Sequence, residues 1–258
     1  MDKVNLFIGS YFALLGMQQY FRNYAKYADD LISELKTTQV ASINSLRKIS
    51  STMNQIAVGP PRDLHEAAQL MLSTFICLHI TGEPVSLGRL DYVLRKYAKP
   101  IDPNSTTLNL SQEDQDIIDS FWIKVGEKAN FNKGYFEDHQ RWGNLAMGGN
   151  SSPYPQGASF NQWGHQLTVG GTNPDGSPFY NSITAHCLRA ARTIPVNAPC
   201  LGLRLHNATP RVLIEEAAKA ILAGGAHPIL LNDKKILAGL EQSGNYVINE
   251  TDWNNAKL

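Results

Sequence analysis

Three thiols and seven imidazoles are the groups in this chain most able to carry chemistry, and their spacing argues against the common sites. Cys77, Cys187 and Cys200 form no CxxC pair, and an odd set of three suits neither a disulfide framework nor a structural zinc. His65 and His79 fall on one apolar stretch, while His206 and His227 fall at strand ends, so none has metal-ligand spacing. No GxxxxGK followed by Ser or Thr is present, and no GxGxxG, HExxH or GxSxG, which excludes the usual phosphate, dinucleotide, zinc-protease and serine-hydrolase sites. His165 stands apart, because it follows Trp163 and Gly164 inside a segment unlike the rest of the chain.

That segment runs from Gly126 to Gly176 and holds ten of the twenty glycines together with Phe131, Tyr135, Phe136, Trp142, Tyr154, Phe160 and Trp163. Low complexity would account for the glycines but not for the aromatics, so the segment reads as ordered irregular structure that lines something. The whole 258-residue chain is charge-balanced, 23 basic against 23 acidic residues, so no net field draws nucleic acid or an anionic membrane. The apolar N-terminus is interrupted by Asn5, Ser10, Gln18 and Gln19 and has no basic leader. A soluble cytoplasmic protein is the expectation.

The elements that must position these groups follow from periodicity. From Val4 to Ile56 the pattern is helical, with Tyr20, Tyr24, Tyr27, Leu31 and Leu35 as the predicted stripe and no stop before Gly59. A second helix opens at Asp63, where Glu66 completes a predicted capping box, and it is apolar nearly all round. A turn-rich stretch from Pro84 to Leu110 precedes a helix over Ser111 to Val125. The last third alternates: a helix over Tyr180 to Ala191, a strand over Leu201 to His206, and a helix capped by Thr209 with Pro210 at its first position. That helix buries Val212, Leu213, Ala217, Ala220 and Ile221, ends at Gly224 and Gly225, and leads into a strand at PILLND. Strand, helix and strand make a βαβ unit, so the sheet should be parallel and the fold class α/β.

Three stretches together resemble the core of glycyl radical enzymes, the pyruvate formate-lyase-like superfamily. PPRDLHEAAQ with SLGRLD (Ser86 to Asp91) resembles that family's P-R-x-x-H-E-A-x-Q helix and S-x-G-R-x-D turn. LTVGGTNPDGSPFYN resembles its L-x-x-G-G-x-x-x-x-G-x-x-x-x-N segment, and LGLRLHNATP with PILLND resembles its V-R-x-H-x-x-T-P turn and the strand ending in N-D. They fall in the family's order between Pro60 and Ile236.

The resemblance implies a ten-stranded α/β barrel of which this chain makes about one parallel half with its surrounding helices. Residues 1–258 would then be a single partial domain: 1–125 mainly helical, 126–176 the pocket segment and 177–258 the βαβ part. It implies radical cleavage or formation of C–C or C–X bonds on a small organic substrate, with a non-catalytic scaffold from the same barrel as the alternative. It places Phe160, Trp163, His165 and Gln166 against the substrate cavity; Phe160 and Trp163 either enclose an apolar substrate or pack the barrel wall. Ser86, Arg89 and Asp91 are expected to brace a turn through an ion pair. The family's thiyl cysteine in G-C-x-E and its C-terminal radical glycine have no counterpart up to Leu258, so the expectation is that this chain alone has no activity. The glycyl radical, installed by a radical S-adenosylmethionine activase, would belong to a longer parent, and the remainder of the barrel would be the chain's chief partner. An incomplete parallel sheet would also expose an unpaired edge and be poorly soluble alone.

Overall fold

The computed structural model describes residues 3–80, 86–126, 166–195, 199–224 and 227–244, with only the backbone described at 79 and 80. The chain divides into two compact units, Met1–Cys77 and Leu78–Leu258.

The first unit opens as a helical hairpin, not as one long helix. Helix α1 (Lys3–Glu34) and helix α2 (Val40–Val58) pack on one another. Between them the chain turns at residues 35–39, where the Gln39 amide donates to the Lys36 carbonyl (2.9 Å) and the Lys36 amide donates to Gln39 Oε1 (3.1 Å). Two adjacent β-branched residues, Thr37 and Thr38, sit in this turn and weaken the helical continuation. The buried residues of α1 are Phe21, Ala25 and Ala28, of which Phe21 and Ala25 cluster with Met53, Ile56 and Ala57 of α2. Small alanines let the two backbones approach. Tyr24 and Tyr27, expected in the stripe, are 48% and 62% exposed.

Helix α3 (Leu64–Ile80) follows. The Glu66 amide donates to Asp63 Oδ1 at 2.9 Å, which is the expected cap. The other half of the box is shifted by one residue. The Glu66 carboxylate accepts from the Arg62 amide (2.7 Å) and is clasped by the Arg62 guanidinium through Nε and Nη2, which explains why Arg and Glu stand four apart in this motif. Residues 64–77 are buried or half-buried throughout.

The second unit is built on a four-stranded sheet in the order β1-β2-β3-β4, every neighbour parallel. Its strands are β1 (Gly88–Arg89), β2 (Gln166–Gly170), β3 (Cys200–Leu205) and β4 (Ile229–Asn232). The helices are α4 (Leu90–Val93), α5 (Gln112–Gly126), α6 (Ser182–Thr193), α7 (Arg211–Leu222) and α8 (Asp233–Gln242). Strand alternation puts Leu167, Val169, Leu201 and Leu203 into a fully buried layer, and α6 and α7 bring in Ile183, Leu188 and Leu213. Thr168, Gly202 and Leu231 are only half-buried, and β4 leaves Ile229 and Leu230 exposed.

Strand β3, helix α7 and strand β4 form the expected parallel unit. Two details differ. Helix α7 begins after Pro210, because the Thr209 hydroxyl accepts from the His206 amide (2.9 Å) and so braces the turn instead of capping the helix. Ile221 is 42% exposed, while Glu216 is buried and meets Arg192 of α6 at 2.8 Å. An ion pair between the two helices thus occupies part of the stripe that periodicity assigned to an aliphatic side chain.

Candidate functional site at the C-terminal edge of the sheet

In parallel α/β sheets the strands' carboxyl ends are where ligands bind, because loops diverge there and leave a crevice. In this chain those ends carry the polar letters of the three sequence motifs. Strand β1 runs directly into the short helix α4, which places Arg89 and Asp91 at its end. Asp91 is fully buried, and its Oδ2 accepts from the Gly170 amide (2.6 Å) at the end of β2 and from the Thr184 hydroxyl (2.6 Å) on α6. Its backbone carbonyl accepts from Asn181 Nδ2 (3.0 Å). Asn181 in turn caps α6, its Oδ1 taking the amides of Ile183 and Thr184 in a capping box. One asparagine therefore ends a loop, starts α6 and anchors α4, the helix that follows β1.

The glycine pair has a similarly specific cause. Gly170 and Gly171 have φ of +76° and +96°, a region that side chains disfavour. A Cβ at Gly170 would lie 2.6 Å from the Arg204 carbonyl oxygen, and one at Gly171 would lie 3.0 Å from the Arg204 guanidinium carbon. Parallel register puts Gly170 opposite Arg204, so these glycines make room for that arginine. Arg204 then clasps Asp233 at the end of β4, Nε to Oδ1 at 3.1 Å and Nη2 to Oδ2 at 2.8 Å, with both residues buried.

Arg89 lies in the same region. It is 2% exposed, and its Nη1 donates to the Thr172 carbonyl at 2.8 Å. The guanidinium carbon sits 4.9 Å from the centroid of the Tyr92 ring and 5.1 Å from that of Phe179. Phe179 is carried over it by a turn in which the Gly176 amide donates to the Asn173 carbonyl and the Phe179 amide to the Gly171 carbonyl. Ser86 completes the bracing by donating to the Gln166 carbonyl at 3.0 Å. The expected bracing by Ser86, Arg89 and Asp91 is thus present, but it runs to β2, to the Thr172 carbonyl and to α6 instead of through a pair between Arg89 and Asp91. Asp91 Oδ1 and Arg89 Nε and Nη2 are buried without a hydrogen-bond partner.

Burial sets the electrostatics. It pushes the Asp91 carboxyl up to about 6, against the lowering effect of the Gly170 and Thr184 hydrogen bonds and the nearby Arg89 charge. It also pushes Arg89 down from its ordinary value, with Arg204 repelling it and Asp91 opposing the shift. On the far side of α6, His186 is buried with Nδ1 2.8 Å from Gln115 Oε1, and burial pushes it down to about 4. Cys187 is fully buried on the same helix, and burial raises its thiol well above the ordinary value; Cys77 and Cys200 shift the same way. All three are protonated thiols in helix or strand settings. Among the described residues no group of three His, Cys, Asp or Glu could hold a metal ion, and no helix is long and apolar enough to cross a membrane.

Of the residues expected at the substrate cavity, Phe160, Trp163 and His165 lie outside the described residues. Gln166 is exposed at the first position of β2, the end opposite Gly170. The structure adds Thr172, Thr184 and the Arg204–Asp233 pairing to the site. Arg204 and Asp233 were visible as motif letters. Thr184 gave no signal, because its partner is 93 positions away.

The family model described as pyruvate formate lyase-like matches residues 2–256. The chain belongs to that family. This pyruvate formate-lyase-like chain is similar to isethionate sulfite-lyase of Nitratidesulfovibrio vulgaris, 26% identical over 223 residues that make up 84% of the chain and 24% of that relative. It is likewise similar to (2S)-3-sulfopropanediol dehydratase of Klebsiella oxytoca, 26% identical over 246 residues, 94% of the chain and 27% of the relative. It spans about a quarter of the length of the curated relatives it matches. Among solved structures, the glycerol-bound B12-independent glycerol dehydratase from Clostridium butyricum has a TM-score of 0.65 at 23% identity, covering 93% of this chain and 27% of that one. A glycyl radical enzyme from Archaeoglobus fulgidus has a TM-score of 0.64 at 20% identity, covering 93% and 28%. These likenesses bear out the expected fold: a parallel α/β section like that of glycyl radical enzymes.

Proposed function

We propose that this chain forms the portion of a glycyl radical lyase or dehydratase that fixes one wall of the substrate-bearing barrel, with a small organic molecule as the substrate. The observation that carries the reading is the convergence of residues from three motifs, spread from Arg89 to Asp233, on one buried region at the strands' carboxyl ends. The matched relatives are named for loss of sulfite and of water, which supports C–X cleavage ahead of C–C chemistry. The glycyl radical of such an enzyme supplies hydrogen-atom abstraction from substrate. The three cysteines do not fit a thiyl role, since Cys187 is enclosed in α6, Cys77 lies in α3 and Cys200 opens β3. The chain's own residues act by position. Asp91 and Asn181 lock α4, which follows β1 directly, to β2 and α6, and Arg204 with Asp233 locks β3 to the start of α8, so the strand ends are held in fixed relative positions.

The partners of this reading are the remaining barrel polypeptide, a radical S-adenosylmethionine activase and the substrate. A test is to extend the reading frame beyond Leu258, express the product anaerobically with such an activase, and record the electron paramagnetic resonance spectrum together with turnover of 1,2-diols and hydroxyalkyl sulfonates. A glycyl doublet with turnover supports the reading. A frame that stops without a G-C-x-E run, and a protein that gives no radical with any supplied second half, would instead support a non-catalytic scaffold. That Asp91 Oδ2 and Arg204 already find hydrogen-bond partners within the chain is what favours that second reading.

A further inference from the structure

Three arginines in this chain show how a guanidinium is used. Arg62 and Arg204 each present the edge made by Nε and Nη2 to a carboxylate, Glu66 and Asp233 respectively. Those two N–H groups point in parallel, which is why the edge matches the paired oxygens of an oxyanion. In Arg89 the same edge makes no hydrogen bond. Nη1 is occupied by the Thr172 carbonyl, whereas Nε and Nη2 are buried with no partner. The Tyr92 and Phe179 rings, their centroids 5.1 Å apart, pack together against one side of the guanidinium. The in-plane edge, at the carboxyl end of β1 where ligands of such sheets bind, is the part of this buried guanidinium that has no hydrogen bond. A buried cation with two unmet donors is costly, and an acceptor that brings negative charge relieves both deficits.

We propose that Arg89 is a binding residue for a small oxyanion, a carboxylate or sulfonate, taken side-on by Nε and Nη2. This deepens the proposed function by giving the substrate an anionic group. It rests on the sheet edge being the ligand face but not on radical chemistry, so a binding measurement separates its failure from that of the catalytic reading. The Tyr92 and Phe179 rings pack against one side of the guanidinium and the Thr172 carbonyl holds Nη1, which restricts where the edge can point.

The test is titration of the chain with isethionate and with acetate, against sodium chloride at equal ionic strength, read by calorimetry and melting temperature. The same titration is run on Arg89→Gln, on Arg89→Lys, and on Arg211→Gln as a control at an exposed arginine. The expected result is saturable binding and a higher melting point for the parent chain and for R211Q. Affinity should weaken about tenfold or more in R89K, which keeps the charge but loses the fork, and binding should vanish in R89Q. Equal responses in all four proteins overturn the proposal. So does a parent chain that responds to neither probe, the outcome expected if Arg89 swings onto the vacant Oδ1 of Asp91. Concentration-dependent self-association lost in R89Q also overturns it, since the oxyanion would then be a carboxylate of a second copy. Should both Arg89 variants fail to fold, the guanidinium Nε–H resonances of the parent chain decide: no shift with either probe sinks the idea.

Discussion

Replacing Asp91 with asparagine isolates the most perturbed carboxyl of the network. In the folded chain burial pushes this group up to about 6 from an ordinary value of 3.8. The folded state therefore holds the proton more tightly than the unfolded state does. The resulting stability is fully present below about pH 4 and is lost as pH rises through 6. A separation of about two pH units corresponds to about 3 kcal/mol. The carboxamide introduced by D91N would be neutral at every pH, and its oxygen can accept from the Gly170 amide and the Thr184 hydroxyl as Asp91 Oδ2 does. The unfolding free energy of the parent minus that of D91N should therefore fall by about 2.4 kcal/mol between pH 4 and pH 7, ending with D91N the more stable. Urea denaturation of both proteins at pH 4, 5, 6 and 7 measures this. Taking the difference cancels groups common to both, including His186, which titrates near 4 when folded. A difference that stays constant to within about 0.5 kcal/mol, or that rises with pH, would refute the reasoning.

Three further outcomes are expected. Gly170→Ala should destabilise by about 3 kcal/mol or more, because it combines positive-φ strain with a 2.6 Å approach to a backbone oxygen, whereas Gly239→Ala in open space on α8 should be neutral or stabilising by about 1 kcal/mol. Asp233→Asn should cost about 3 kcal/mol by stranding the buried Arg204, and the double change Arg204→Met with Asp233→Leu should cost less, which a double-mutant cycle in urea would show. Asn181→Ala should cost about 2 kcal/mol through loss of the α6 cap together with the bond to the Asp91 carbonyl, while Asn181→Asp retains the cap and recovers part of it. Thermal melts of the parent and both variants rank these two.

How much of this was legible depends on how far apart the interacting residues lie. Period-two alternation in LGLRL and the helical stripe of α7 each report on neighbours a few positions away, so the parallel βαβ unit could be read from composition and spacing. The turn at residues 35–39 escaped because Thr37 and Thr38 only weaken a helix, and the Phe21–Met53 packing that drives the reversal spans thirty-two positions. Ile221 looked buried because periodicity cannot distinguish an aliphatic stripe from one that admits an ion pair such as Arg192 with Glu216. At the site, the letters R, D, G-G, N and N-D all drew attention. Their pairing did not, since local spacing suggested Arg89 with Asp91, whereas the sheet places Asp91 beside Gly170 and Thr184 and hands Arg204 to Asp233.

The reach of the Asp91 contacts also has a kinetic side. Its hydrogen bonds to Gly170 and Thr184 close loops of 79 and 93 residues, whereas the Arg204–Asp233 contact closes one of 29. Loop-closure entropy and the inverse dependence of folding rate on contact order place the short β3-α7-β4 unit first and the docking of β1 last. Mutations at Asp91 or Asn181 would then accelerate unfolding while leaving the refolding rate nearly unchanged, and those at Arg204 or Leu213 would slow refolding. The strand that carries Arg89 is, on this account, the last piece of the sheet to arrive and the first to leave.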